Sequence, residues 1–138
     1  MILNDPWSSM SKSETQPPNA ESASATDPDA LARLRRFGGD KLVREMIDLY
    51  LTTAPERLAA ARNGASSGDL PSTELALHSL KSSSAQLGAI RVGKLSERGE
   101  LIARTGTLDG IPDLVVEMED ELARAAEWLT RVRDGGAA

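Results

Sequence analysis

Hydrophobic positions recur at helical spacing from residue 27 onward and show no period before it. Asp27-Pro28-Asp29 opens a short helix, with Asp27 as cap, Pro28 at the first position and Asp29 at the positive end of the dipole. It ends in a turn at Phe37-Gly38-Gly39, and Asp40 is placed to cap the next helix. Leu42, Val43, Met46, Ile47, Leu49 and Tyr50 then form a wide apolar stripe that resumes at Leu58 and Ala61. Pro55 falls inside that stripe and predicts one kinked helix rather than two. Asn63 to Gly68 reads as a loop, and Asp69 as the cap of a helix with Ala76, Leu77, Leu80 and Leu87 on its inner side. Gly88 ends or interrupts that helix. Val92, Leu95, Gly99 and Ile102 line one side of the next. Gly99 costs ~1 kcal/mol against Ala and either permits a close helix crossing or is simply tolerated. After a loop over Arg104 to Leu108, Asp109 or Gly110 with Pro112 opens the last helix. Its stripe is Ile111, Leu114, Val115, Met118, Leu122, Ala125, Leu129 and Val132. No alternating strand pattern occurs. The expectation is an all-α fold over residues 27–133: an antiparallel four-helix bundle with a short additional N-terminal helix.

Composition sharpens this picture. Aromatics are only 3% of the 138 residues, so the core must be aliphatic and alanine-rich, which suits packed helices. Residues 1–26 are rich in Ser, Thr, Pro, Asn and Glu and read as a disordered tail or linker, and 134–138 as a frayed end. Trp7 is the tail's one odd residue, an incidental aromatic or a docking point. A net charge of −5 argues against nucleic-acid binding. Cysteine is absent, which excludes disulfides, thiolate metal sites and cysteine nucleophiles. One histidine excludes a multi-histidine metal site within the chain. No stretch approaches the ~20 apolar residues of a membrane span, and Met1-Ile2-Leu3 is too short for a signal-peptide core. A cytoplasmic monomer, without membrane insertion, is expected.

That one histidine, His78, carries the chemistry. Laid on a helical wheel, Ala76, Leu77, Leu80, Ser83, Ser84 and Leu87 gather on the core side, and His78 points away from them. Lys81 and Ser82, three and four residues on, neighbour it on the surface, as does Leu75; Gln86 lies two turns further on. A neutral imidazole offers a ring nitrogen that can attack an activated phosphorus. A lysine one turn away can hold the arriving phosphoryl oxygens. Small side chains admit a partner, and an exposed leucine can grip it. Each residue alone has a plainer reading: an inert surface histidine, a solvated lysine, a stray surface leucine.

The run His78-Ser79-Leu80-Lys81, followed by small residues and Leu87-Gly88-Ala89, resembles the signature of the histidine-containing phosphotransfer (HPt) domain family. Gly38-Gly39-Asp40, Ala54-Pro55-Glu56 and Gly68-Asp69 resemble it too, so the likeness spans the whole expected fold. The resemblance implies that His78 is phosphorylated and that Lys81 stabilises the phosphoryl group; Leu75, Ser82 and Gln86, beside them on the helix surface, are the candidate partner contacts. Ser82 stands where the family usually has glycine. It is still small enough for a receiver to approach and can hydrogen-bond a phosphoryl oxygen, or it slows transfer or narrows partner choice.

The resemblance further implies a phosphorelay intermediate that takes a phosphoryl group from the phospho-aspartate of a receiver domain and passes it to another receiver. Such a chain is a phosphocarrier, not an enzyme. It needs no cofactor or metal of its own and has no ATP site; no glycine-rich phosphate loop is present. Its partners are response-regulator receiver domains and a hybrid sensor histidine kinase, and the chain is either free-standing or the C-terminal part of such a kinase. Three alternatives stay open: an adaptor of the same fold that is never phosphorylated, the phosphotransfer module of a chemotaxis-type histidine kinase, and a purely structural bundle. Arg91, Lys94 and Arg98 form a basic stripe that reads as a solvated helix face or a contact for an acidic receiver surface.

Overall fold

The computed structural model describes residues 25–135. The expected tail over 1–26 falls almost wholly outside this range, as do Trp7 and most of the expected frayed end. Among the described residues there are four helices and no strand: α1 Pro28–Ser67, α2 Leu70–Leu87, α3 Ile90–Arg104 and α4 Ile111–Arg133. Each packs on its neighbours in chain order, and α4 closes the ring against α1. Connections of a few residues make successive helices antiparallel. None of the helices is long and apolar enough to cross a membrane.

The sequence signals at the helix ends act largely as read. Asp27 accepts a hydrogen bond from the Asp29 amide (3.0 Å), and Asp69 accepts one from the Ser72 amide (3.1 Å), so both carboxylates cap. The break at the double glycine is present. Gly39 leaves helical conformation (φ 77°, ψ −176°) and splits a short leading part of α1 from the long remainder. Asp40 takes a different partner from the one expected. Its carboxylate accepts from Arg35 Nε at 2.7 Å, reaching back across the break.

α1 is one helix across Pro55, as expected, and one expectation along it needs correction. The helical backbone runs on through Pro55, and Gly39 is its one non-helical residue. Pro55 lies on the exposed side between the buried positions Ala54 and Leu58, so its ring faces solvent. The expected loop over Asn63 to Gly68 is helical up to Ser67. Gly64 explains the extension. It is buried against Thr73, and its carbonyl accepts the Gly68 and Asp69 amides, so the helix ends in a left-handed Gly68 rather than unravelling earlier.

The core is aliphatic, as the low aromatic content requires. Val43, Ile47, Tyr50, Ala54, Leu58 and Ala61 of α1 meet Leu77, Leu80 and Leu87 of α2 and the long stripe of α4, where Trp128 is also buried. The Tyr50 hydroxyl shares a 2.7 Å hydrogen bond with Ser84 Oγ, which gives both buried groups a partner. Burial, only partly offset by that bond, pushes the Tyr50 phenol up to about 12.

The end of α2 is tied to the start of the fold. Gly88 (φ 78°) caps α2; its carbonyl accepts the Asp27 amide (2.9 Å), and the Ile90 amide donates to Ala25 (3.1 Å). A Cβ on Gly88 would both strain the left-handed backbone and collide with the Asp27 carbonyl oxygen. Gly88→Ala is therefore expected to destabilise the bundle by about 2 kcal/mol or more. Urea unfolding of the two proteins checks this, and equal midpoints would refute it.

Candidate functional site

α2 places His78 on its outer surface, with about half of the side chain exposed (52%). Leu77 and Leu80 on either side of it in sequence are buried, which fixes the rotation of the helix and turns His78 outward. Leu75, Ser82 and Gln86 are exposed on the same surface, as read from the wheel. Ser83 is half-buried and its hydroxyl donates back to the Ser79 carbonyl (3.0 Å); Ser84 is fully buried.

The feature that sequence reasoning missed is Glu100. It belongs to α3 and is buried, its side chain only 2% exposed. Its carboxylate stands at the centre of three donors. His78 Nδ1 lies 2.8 Å from Oε2, Lys81 Nζ 2.9 Å from Oε1, and Arg104 Nη2 2.8 Å from Oε2. Arg104 also reaches Glu74 of α2, with its Nε 3.3 Å from Oε2. A buried carboxylate is costly unless paired and hydrogen-bonded, and this one is both. Burial pushes the Glu100 carboxyl up. The hydrogen bonds from Lys81 and His78 and the charges of Lys81 and Arg104 outweigh that, and hold it below the ordinary glutamate value.

An ionised carboxylate can only accept hydrogen bonds. The proton at the His78–Glu100 contact therefore sits on Nδ1. In the neutral ring the lone pair is then on Nε2, at the other edge of the imidazole. One buried carboxylate thus selects the tautomer, orients the ring and offers a counter-charge if the ring becomes cationic. The arrangement suits a nucleophile acting through Nε2.

The local sequence held one clue to Glu100. Glu100 and Arg104 are spaced i, i+4 in the favourable order. The residue beside it, Leu101, is 54% exposed, so the polar residue points in and the apolar one out. The stripe expected on α3 is correspondingly rotated: Val92, Ser96, Gly99, Glu100 and Ala103 are buried, while Leu95 and Ile102 are only half-buried. Gly99 has Leu77 directly opposite, so the close crossing is the reading that holds. The basic stripe on α3 faces carboxylates of α4. Arg91 Nε lies 3.1 Å from Glu121 Oε2, and Lys94 and Arg98 share a groove with Glu117 and Asp120.

The Hpt domain family model matches residues 45–128, which include α2, α3 and the whole cluster around Glu100. The chain belongs to the Hpt domain family. Hpt domains are phosphotransfer carriers of two-component systems. Among solved structures, histidine-containing phosphotransfer protein B (HptB) from Pseudomonas aeruginosa PAO1 is similar. It is 27% identical, with a TM-score of 0.76, over 81% of this chain and 96% of that one. The HPT domain of a hybrid sensor histidine kinase from Shewanella shares the fold at 17% identity and a TM-score of 0.68, over 83% and 97% of the two chains. No curated protein matches the sequence.

Removing the shared carboxylate has a defined cost. Glu100→Ala leaves Lys81 without its carboxylate and Arg104 with Glu74 alone, and is expected to cost about 3 kcal/mol at neutral pH. The pH dependence follows from the lowered carboxyl. Its contribution is complete above the unfolded value near 4.5 and is lost as pH falls through the lower folded value. The stability gap between the wild type and Glu100→Gln should therefore close in strong acid, as measured by denaturant unfolding across pH. A gap that stays constant from neutral to strongly acid solution would contradict it.

Proposed function

We propose that this chain is a phosphorelay intermediate that carries the phosphoryl group on His78 Nε2. The observation that supports it is the hydrogen bond from His78 Nδ1 to the ionised, buried Glu100, which leaves Nε2 as the free nucleophilic nitrogen. Nε2 attacks the phosphorus of an aspartyl phosphate on a receiver domain. The phosphorus–nitrogen bond forms as the phosphorus–oxygen bond breaks, and the receiver's carboxylate leaves with the bonding pair. No proton has to move. The Nδ1 proton stays on the ring, the ring becomes cationic, and Glu100 balances that charge across 2.8 Å. Transfer to a second receiver is the same step reversed, with the carboxylate of that receiver as nucleophile.

In this reading the chain is a carrier rather than an enzyme, working as a cytoplasmic monomer. The receivers supply the divalent metal and most of the catalysis, and a hybrid sensor histidine kinase stands upstream. Leu75, Ser82 and Gln86 border the nucleophile and form part of the docking surface. Ser82, exposed one turn from His78, is small enough to let a receiver close on the ring despite replacing the family's glycine. Lys81 is the phosphoryl-stabilising cation of the family pattern. Its present bond to Glu100 means that it must exchange partners to reach a phosphoryl group.

The test is transfer from a panel of phosphorylated receiver domains to the wild type and to His78→Ala. Acid-labile label on the wild type and none on the variant is expected. Binding to a receiver without label on either protein would replace the relay with an adaptor. Label obtained only from ATP with a kinase core would move the chain to the chemotaxis-type modules.

A further inference from the structure

His78 separates two recesses on the surface. One, on the α3 side, is lined by Glu74, Leu75, Glu100 and Arg104. The other, on the α1 side, is lined by Arg57, Ser79, Ser82, Ser83 and Gln86. The helical wheel divides the polar residues in the same way, with Leu75 falling on the Ser82 side. At 100° per residue, Glu74 and Lys81 fall on one side of His78, and Ser79, Ser82, Ser83 and Gln86 on the other. Nδ1 is committed to the α3 side by its bond to Glu100. Nε2, at the other edge of the ring, takes no part in that bond, and His78 also lines the α1-side recess.

The cations are divided in the same way. Lys81 and Arg104 both lie on the α3 side and both are bound to Glu100. Arg57, half-buried on α1, lines the other recess with His78 and makes no hydrogen bond or ion pair among the described residues. It lines this recess with Ser79, Ser82, Ser83 and Gln86, of which the Ser83 hydroxyl already donates to the Ser79 carbonyl. A guanidinium with all its donors free, beside neutral donors, is what a phosphoryl group recognises.

Resting on the function proposed above, we infer that the phosphoryl group on Nε2 is received in the recess between α1 and α2, with Arg57 as its cationic contact. Lys81, held at 2.9 Å by Glu100 on the far side, is not the first cation it meets. Ser82 gains a role from this placement, since a hydroxyl can donate to a phosphoryl oxygen where glycine cannot.

Phosphoramidate tests this without a receiver. Its phosphorus–nitrogen bond breaks, ammonia leaves and the phosphoryl group joins Nε2. Wild type, His78→Ala, Arg57→Gln, Arg57→Lys and Lys94→Gln are treated alike, and the phosphoryl group is titrated by phosphorus NMR. Lys94 lies in the groove between α3 and α4, and its substitution controls for net charge. Glu74, Lys81, Glu100 and Arg104 are unchanged in every protein, so differences report on residue 57. The acid dissociation constant of the phosphoryl group should be about tenfold higher in the wild type than in Arg57→Gln. Arg57→Lys should retain most of the effect, and Lys94→Gln should match the wild type. Label with the same titration in Arg57→Gln and Lys94→Gln overturns the contact. So does an unmoved titration with weakened receiver binding, which makes Arg57 a partner contact instead. Absence of acid-labile label on the wild type defeats the function proposal, and the phosphoryl seat with it.

Discussion

A single buried carboxylate organises this surface. Glu100 reaches from α3 to α2 and takes hydrogen bonds from His78 and Lys81 on one helix and from Arg104 on its own. Burying such a charge is unfavourable by several kcal/mol unless its partners are in place. Those partners therefore hold α2 and α3 in one rotation relative to each other. The close packing beneath it belongs to the same arrangement. Gly99 lets Leu77 approach α3, bringing the helix carrying His78 near enough for its imidazole to meet the carboxylate. Packing sets the distance, and the carboxylate then sets the tautomer.

Most of the bundle was legible in the sequence because helix periodicity and end chemistry act locally. Asp27 and Asp69 cap as read, Gly39 breaks the first element, and Gly88 closes α2. The errors arose where a local signal met a tertiary one. Asn63 to Ser67 looks like a loop until Gly64 is seen buried against Thr73. His78, Lys81, Leu75, Ser82 and Gln86 were legible together because they sit on one helix at known spacing. Glu100 is 22 residues from His78 and on another helix. No spacing rule reports the rotation of α3, and a wheel that assumes apolar residues inward points it the wrong way.

Charge is distributed unevenly about the histidine. On the α3 side, two cations and two carboxylates are mutually engaged, with Arg104 bridging Glu74 and Glu100. On the α1 side, one guanidinium lines a recess with serines and a glutamine. An arriving phosphoryl group would find the first set already satisfied and the second open. Engaged pairs are costly to break because each leaves a charge uncompensated, whereas a half-buried cation with no protein partner has only water to give up.

This asymmetry bears on how Lys81 can take its family role. In the resting state Lys81 and Arg104 share the work of neutralising Glu100. Phosphorylation at Nε2, as proposed, would make the ring itself cationic, with its proton still on Nδ1 and directed at the same carboxylate. Glu100 would then have a third full positive charge at hydrogen-bond distance, and its need for Lys81 would fall. Arg104 cannot be released as easily, since it also serves Glu74. On the proposed placement the charge balance would favour an order of events: the phosphoryl group would first rest against Arg57, and Lys81 would become available only once the ring carries its charge. A lysine released by the product rather than waiting for the substrate would favour the phosphorylated state more than the approach to it. That is the behaviour of a store, in keeping with a family of phosphotransfer carriers.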